Sequence, residues 1–492
     1  MKKSLLISIA TATLLSSTSV SALTLEEKFE ALQAQMLEMK QELDALKEKE
    51  VVAELSEETQ EDIADMQESI TELNKATSGN HLKFGVDYRF ALDNINYKMA
   101  DGSKQGNDGL MTNRLFINMD WLATENLSFT GQLAYNKAFG ARSAADTGNL
   151  YESFDWIANE NAYDNLVRVR SAYFLYRNDT FLGSEIPWTF SVGRRPSTNG
   201  HLINLRDDDK AASPMGHAIN VEFDGLSSKF GLENITGVDG MYVKFCAGRG
   251  MSNAKPKFAD AAYAESSASN PAIDLGGLIF VPYNDGHYEV ATQYYYANNL
   301  IDMVNPASQA AGFKTVGGLH SVTANFTMNG IGDGINDYLD DTTFFVSGAM
   351  SKTDPKAGKA MLTSTVDKSV KGYSYWAGLQ MPSFITDEGR WGLEYNHGSK
   401  YWRSITYGED TNIGSKVAAR GNAYEAYFTE YLVDDILSMQ IRYTYIDYDY
   451  AGSNGFFGDT SGLATEISSG MSGASQVVDK AQDIRFYLRY KY

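Results

Sequence analysis

From residue 81 to the C-terminus, apolar and polar residues alternate with a period of two, broken at intervals by polar, glycine-containing stretches. Side chains of a strand point to opposite faces in turn, so this is the pattern of strands with one apolar and one polar side. Leu82, Phe84, Val86, Tyr88, Phe90 and Leu92 alternate with Lys83, Gly85, Asp87, Arg89 and Ala91. Leu115, Ile117, Met119 and Trp121 form a second apolar face, followed across the short turn Thr124-Glu125-Asn126 by Phe129, Leu133 and Tyr135. Val167, Val169, Tyr173 and Leu175 oppose Arg168 and Arg170. Further strands are predicted over 188–192, 219–223, 241–245, 275–282, 288–296, 319–328, 342–352, 373–381, 391–397, 423–432 and 437–445. In the last, 484–492, Ile484, Phe486, Leu488, Tyr490 and Tyr492 share one face, and Arg485, Tyr487, Arg489 and Lys491 the other. The count is sixteen; 14 or 18 also fits, because residues 226–240 read either way. Connections are mostly short turns at one end and polar, Gly-rich loops of about 15 to 30 residues at the other.

Upstream, the period changes. Leu25, Phe29, Leu32, Met36, Met39, Leu43 and Leu46 keep the alternating four-and-three spacing of a heptad seam, and Ile63, Met66, Ile70 and Leu73 resume it after a slip near residues 50–52. No Gly or Pro falls between Leu25 and Ala76, so a helix of roughly 75 Å, or two with a break, is predicted. Two readings stand: a solvated acidic spacer, or an oligomeric coiled coil. Residues 1–22 read as a signal peptide, with Lys2 and Lys3, an apolar run from Leu5 to Val20, and small residues ending at Ala22. The expected division is 1–22 signal peptide, 23–78 periplasmic coiled coil and 79–492 barrel.

Composition narrows the class. Tyr (30) and Phe (24) are abundant, as in the aromatic girdles of membrane barrels. Nine prolines fall in loops, turns or strand ends. A single cysteine, Cys246, excludes an intramolecular disulfide, and a net charge of −21 argues against a nucleic-acid partner.

A final strand that alternates in phase up to a terminal aromatic resembles the closing strand of bacterial outer-membrane β-barrels. The resemblance implies an all-β transmembrane barrel of about 16 antiparallel strands behind an N-terminal α-helical coiled coil. It also implies that Phe486, Leu488, Tyr490 and Tyr492 form an insertion signal for the barrel-assembly machinery, that lipid surrounds the outer face, and that the coil joins a homotrimer. Even strand parity leaves both barrel ends in the periplasm. Closure would set Lys83 and Arg89 beside Arg485, Arg489 and Lys491, with Arg442 one strand on. Together with Arg168 and Arg170 these predict a basic wall, either steering anions or pairing with nearby carboxylates. The third long loop, taken as Arg194 to Ala218, carries Arg194, Arg195, Arg206, Asp207, Asp208 and Asp209. In general porins the corresponding loop folds inward, which makes these six candidates for a constriction; the alternative is a surface loop. Arg194 to Gly200, Ala218-Ile219-Asn220 and Phe223-Asp224-Gly225 are similar to part of the bacterial family known as domain of unknown function 3373 (DUF3373), which has no function to lend.

No G-x-S-x-G or H-E-x-x-H motif is present, and the six histidines are scattered singly; His201 and His217 share a loop and are expected at its surface. No enzyme, cofactor or metal is expected. The leading expectation is a porin passing small hydrophilic solutes or ions. The alternative is a plugged, non-conducting barrel whose coil tethers the envelope or docks a cell-wall or periplasmic partner.

Overall fold

The computed structural model describes residues 83–141, 162, 165–267, 269–305, 311–332, 334–386, 388–407 and 409–492. The expected signal peptide and coiled coil lie outside the described residues. The alternating segments form strands β1 (Lys83–Met99), β2 (Lys104–Thr124), β3 (Leu127–Ala138), β4 (Arg168–Asn178), β5 (Trp188–Ser197), β6 (Ile219–Gly231), β7 (Tyr242–Met251) and β8 (Ile273–Asn284). They continue as β9 (Tyr288–Met303), β10 (Phe313–Asn329), β11 (Thr343–Pro355), β12 (Lys371–Pro382), β13 (Arg390–Gly398), β14 (Gly421–Val433), β15 (Leu437–Tyr448) and β16 (Val478–Lys491). Each pairs antiparallel with the next, and β16 returns to β1 with Lys491 opposite Asp87, so the sheet is closed and has no edge. The terminal residue completes the seam: the Tyr492 amide donates to the Val86 carbonyl (2.8 Å), and the Val86 amide to the Tyr492 carbonyl (2.6 Å).

The ambiguous stretch 226–240 resolves by its local chemistry. β6 runs on to Gly231, a helical turn Glu233–Thr236 follows, and Gly237 ends it at φ 70°, a conformation glycine adopts without the Cβ clash. The next turn is set by Asp285, whose carboxylate accepts the His287 and Tyr288 amides, with Gly286 at φ 89°. Pro282 falls where the β8–β9 register shifts, so its missing N–H interrupts no regular ladder.

Which face meets lipid follows from exposure. On β16, Ile484, Leu488 and Tyr490 are exposed, whereas Arg485, Tyr487 and Arg489 are buried. The same split on β1 leaves Phe84, Val86 and Tyr88 outside and Asp87, Arg89 and Asp93 inside. An apolar exterior on a closed sheet whose backbone groups are all laddered is the surface a bilayer accepts, since lipid offers no hydrogen bonds. The chain is therefore a sixteen-stranded transmembrane barrel.

The largest apolar cluster lies inside the barrel. Phe456 and Phe457, from the loop 449–477, pack with Ile405 of the loop 399–420 against Ile219, Phe223, Ile273, Leu300 and Ile301 of the wall. Burying each phenylalanine contributes about 1.5–3 kcal/mol, enough to hold a loop in place. Asp302 of β9 fastens the same loop, accepting from the Thr460 amide (2.9 Å), the Thr460 hydroxyl (2.5 Å) and the Ser461 hydroxyl (3.1 Å).

Candidate functional site: the lumen and its three inward loops

Among the described residues, loops 198–218, 399–420 and 449–477 enter the lumen, and Met361 of the 356–370 connection packs into the same apolar cluster. The three loops brace one another. Ile405-Thr406 pairs in parallel with Ile219-Asn220, with the Ile405 amide donating to the Ala218 carbonyl at 2.9 Å. Arg403 donates to the carbonyls of Ser453 and Gly455, and Arg420 to those of Trp402 (3.0 Å), Ala451 and Gly462 (both 2.9 Å).

The 198–218 loop crosses to the far wall. A short turn, Ile203–Arg206, places Leu202 and Ile203 against Phe345, Trp376 and Val417. Gln380 and Gln440, on strands opposite, donate to the carbonyls of Leu205 (2.5 Å) and Arg206 (2.9 Å). Arg206 is 1% exposed and forms an ion pair with Glu425 at 3.0 Å. Lys416 of the neighbouring loop sits between Glu425 and Glu394, the latter at 2.6 Å. Two cations and two carboxylates thus neutralise each other in a buried quartet that joins two loops to β13 and β14. Beyond it, Asp208 meets Tyr431 (2.6 Å) and Arg390 (3.5 Å), and Asp209 meets Arg489 (3.0 Å) and Lys491 (2.6 Å). Asp207 lies 3.8 Å from Arg206, and its carbonyl accepts from Arg489 at 3.0 Å.

Arg89, Arg442, Arg485 and Arg489 share one arc of the inner face, but each has a carboxylate. Asp410, from the 399–420 loop, is the hub: it pairs with Arg89, lies 3.4 Å from Arg485 and 3.7 Å from Arg442, and its carbonyl accepts from the last two. Burial opposes ionisation of Asp410, yet the Arg89, Arg485 and Arg442 guanidiniums outweigh it and hold the carboxyl well below its ordinary range. Arg485 also binds Asp93 (2.5 Å), and Arg489 binds Asp87 (2.7 Å). Lys83 stands exposed at the start of β1, across from Asp120.

Several expectations need correction. Arg170 is set apart from that arc on β4 but is linked to it, since it and Arg114 lie over the same Phe116 ring and Arg114 lies 3.5 Å from Asp87. Arg168 and Arg170 both stand on β4, where Arg170 reaches Glu222 (3.2 Å), Gln132 (2.8 Å) and Thr198 (2.6 Å). Arg194 and Arg195 are not loop residues: the β5–β6 ladder runs through them, opposite Asp224 and Phe223. Arg194 lies 2.9 Å from Glu222, and Arg195 stacks over Tyr173. His201 and His217 are not at a surface. His201 lies 3.1 Å from both Glu289 and Thr327, and His217 is buried between Ser347 (2.8 Å) and Ser374 (2.9 Å) with Trp376 and Trp402 beside it. Burial pushes the His217 imidazole down to about 3, so it is neutral at ordinary pH and serves as a hydrogen-bonded pin for the loop.

Sequence reasoning missed the second and third inward loops. Their signal was apolar content: Trp402, Ile405, Ile413 and Val417 in one, and Gly455-Phe456-Phe457-Gly458 in the other, are too apolar for loops facing water. It also missed Lys229 and Lys244, directly opposite one another on β6 and β7.

Filling is uneven around the barrel. Inner residues of β10 to β15, such as Thr323, Ser347, Ser374, Asn396, Glu425 and Gln440, are buried under the loops. Among the described residues of β2 to β4, Asn118, Thr130 and Gln132 are half-buried and Asp120 is exposed, while Phe116, Ala134 and Ser171 on the same inner face are buried.

Solved outer-membrane proteins align with this chain at low identity. OmpT (in-vitro folded), an outer membrane protein of Vibrio cholerae, is 13% identical with a TM-score of 0.41, over 83% of this chain and 98% of that one. OmpF of Salmonella typhi, solved in complex with daunomycin, is 13% identical with a TM-score of 0.45, over 85% and 99%. Outer-membrane expressed OmpT of Vibrio cholerae is 12% identical with a TM-score of 0.43, over 84% and 97%. No curated protein sequence matches the chain. The family model described as protein of unknown function (DUF3373) matches residues 104–492, well over half the sequence, and the chain belongs to that family.

Proposed function

We propose that the protein is an outer-membrane porin that passes small hydrophilic solutes or ions by diffusion, along an eccentric path beside β2, β3 and β4. The observation that carries this reading is the uneven cover of the inner face among the described residues: inward loops bury the inner residues of β10 to β15, while Asp120, Asn118 and Gln132 stay accessible in a barrel whose strand number encloses more space than side chains fill. Along the remaining side, the half-buried polar residues Asn118, Thr130 and Gln132 keep a wet inner surface. No reaction is part of the proposal. The N-terminal heptad seam joins three barrels through a periplasmic coil, and cross-linking of the native chain to a trimer tests that part. The pore itself is tested in planar bilayers with the purified full-length protein. Discrete conductance steps are expected, and a folded barrel that conducts nothing at any voltage would overturn the reading.

A second reading, a plugged barrel that anchors the envelope, draws on the buried quartet around Glu425 and the cluster around Phe456. It requires silent bilayers, and loss of envelope attachment when Leu25 to Ala76 is deleted while the barrel still inserts.

A further inference from the structure

The lumenal cations differ in one respect. Arg89, Arg114, Arg170, Arg206, Arg442, Arg485 and Arg489 all have a carboxylate within ion-pair reach. Arg195, Lys229 and Lys244 have none among the described residues; Arg403 and Arg420 have none either, but loop carbonyls take up their donors. Lys229 lies over the Tyr242 ring at 3.9 Å, and Arg195 over the Tyr173 ring at 4.7 Å while donating to the hydroxyls of Ser191 and Ser227. The charged groups around Lys244 are Arg195 and Lys229, with the Cys246 thiol beside them. Like charges directly opposite on paired strands repel; the Glu289 carboxylate acts on Lys229 from beyond ion-pair reach, whereas the charged side chains acting on Lys244 are cationic, so an anion beside Lys244 would relieve the repulsion.

A small cavity of about 50 Å³ is lined by Arg195, Ser227, Lys244, Cys246 and Gln293 together with apolar residues such as Phe223 and Ile279, with no carboxylate in the lining. Gln293 is 4% exposed; its Oε1 accepts the Met215 amide of the inward loop at 2.9 Å, and its Nε2 is buried without a partner. Register puts Lys244 opposite Ile279 and Ile279 opposite Gln293, so Lys244 and Gln293 are two strand spacings apart, about 10 Å at the backbone. The buried Ile279 side chain stands between them on the inner face, so an ion held by both would lie above Ile279, on the lumenal side. A buried donor lacking an acceptor costs about 1–3 kcal/mol, which an anion there would offset.

We propose that this cavity binds the oxyanion group, carboxylate or phosphate, of a small solute, with Lys244 and Arg195 supplying charge and Gln293 a neutral donor. The proposal rests on the pore reading, because solutes must reach the lumen. Cys246, the single cysteine of the chain, is the reporter. In the full-length folded barrel, its alkylation rate is compared for an anionic and a cationic thiosulfonate reagent of similar size. Any change in thiol ionisation affects both, so their ratio reads the local field. The anionic reagent is expected to react at least about tenfold faster. K244Q should bring the ratio to within about twofold, and K244R should restore it, with heat-modifiable mobility showing that both fold. Inorganic phosphate and acetate, added separately, should slow the wild-type reaction saturably in at least one arm and K244Q in neither. A ratio near one in the wild type, or protection by neither anion, overturns the site. A thiol unreactive to both reagents in the folded barrel, yet reactive after unfolding, overturns the access on which it rests and hence the pore reading.

Discussion

Asp410→Ala should undock the 399–420 loop without unfolding the barrel. Asp410 is the carboxylate shared by Arg89, Arg442 and Arg485, whose side chains are 6%, 1% and 2% exposed. Removing one member of a buried ion pair costs about 3–5 kcal/mol, because the remaining charge keeps its desolvation penalty. Here Arg485 retains Asp93, and Asp410 itself is 22% exposed, so the low end, about 3 kcal/mol, applies. At about 1.4 kcal/mol per tenfold, the open fraction of the loop rises by about two orders of magnitude. Trypsin reports it. Lys416, in the same loop, is 3% exposed and should be cut only from the open state, so when reclosing outpaces cleavage the rate follows the open population. Asp101→Ala, on an exposed turn, is the control. A Lys416 cleavage rate within threefold of wild type would refute the assignment of Asp410 as the hub. The same site carries a pH signature. Because the folded carboxyl sits below its unfolded value of about 3.9, its stabilisation is complete above that pH and is lost only as pH falls through the lowered value. The contribution of Asp410 to loop docking, read at each pH with an acid-active protease as the difference between wild type and Asp410→Ala, should therefore be unchanged between pH 7 and about 4.5.

Arg206→Ala leaves the buried Glu425 with Lys416 as its remaining cation, costs about 3 kcal/mol or more, and should enlarge single-channel conductance as the 198–218 loop leaves the far wall; unchanged conductance would count against that placement. Phe457→Ala removes a fully buried ring, and a loss of about 3–5 kcal/mol should appear as faster proteolysis within 449–477 while the barrel stays heat-modifiable. Deleting Tyr492 removes two backbone hydrogen bonds worth about 0.5–1.5 kcal/mol each, little against a sixteen-stranded barrel. Its effect should therefore fall on yield: urea resistance of the inserted fraction stays near wild type while that fraction drops. Normal insertion would remove the role proposed for the terminal aromatic.

The strands were legible because a lipid-facing side and a wet side impose the period-two pattern, and every predicted segment from 82–92 to 484–492 lies on or overlaps a strand of the barrel. The basic arc was legible in part. Closure brings Arg89 beside Arg485 and Arg489, but their partners, Asp410 and Asp209, come from loops hundreds of residues away in sequence, which no local pattern encodes. The loop residues Asp207 to Asp209 were visible as charge. Their placement against Arg489, Tyr431 and Arg390 depends on the chain crossing the lumen, fixed by Leu202, Ile203 and the backbone bonds from Gln380 and Gln440. Arg194 and Arg195 were misplaced because Pro196 read as a loop signal, although the ladder continues through Ser197.

In a loop-narrowed channel, the Arg195–Lys229–Lys244 cluster should set the ion preference, and one recording reads it. With a tenfold potassium chloride gradient across a planar bilayer, the full-length protein should show discrete steps and a reversal potential displaced toward chloride. Lys229→Gln combined with Lys244→Gln should move that potential toward zero. A folded barrel without steps, or a wild-type reversal potential displaced toward potassium, would contradict the account.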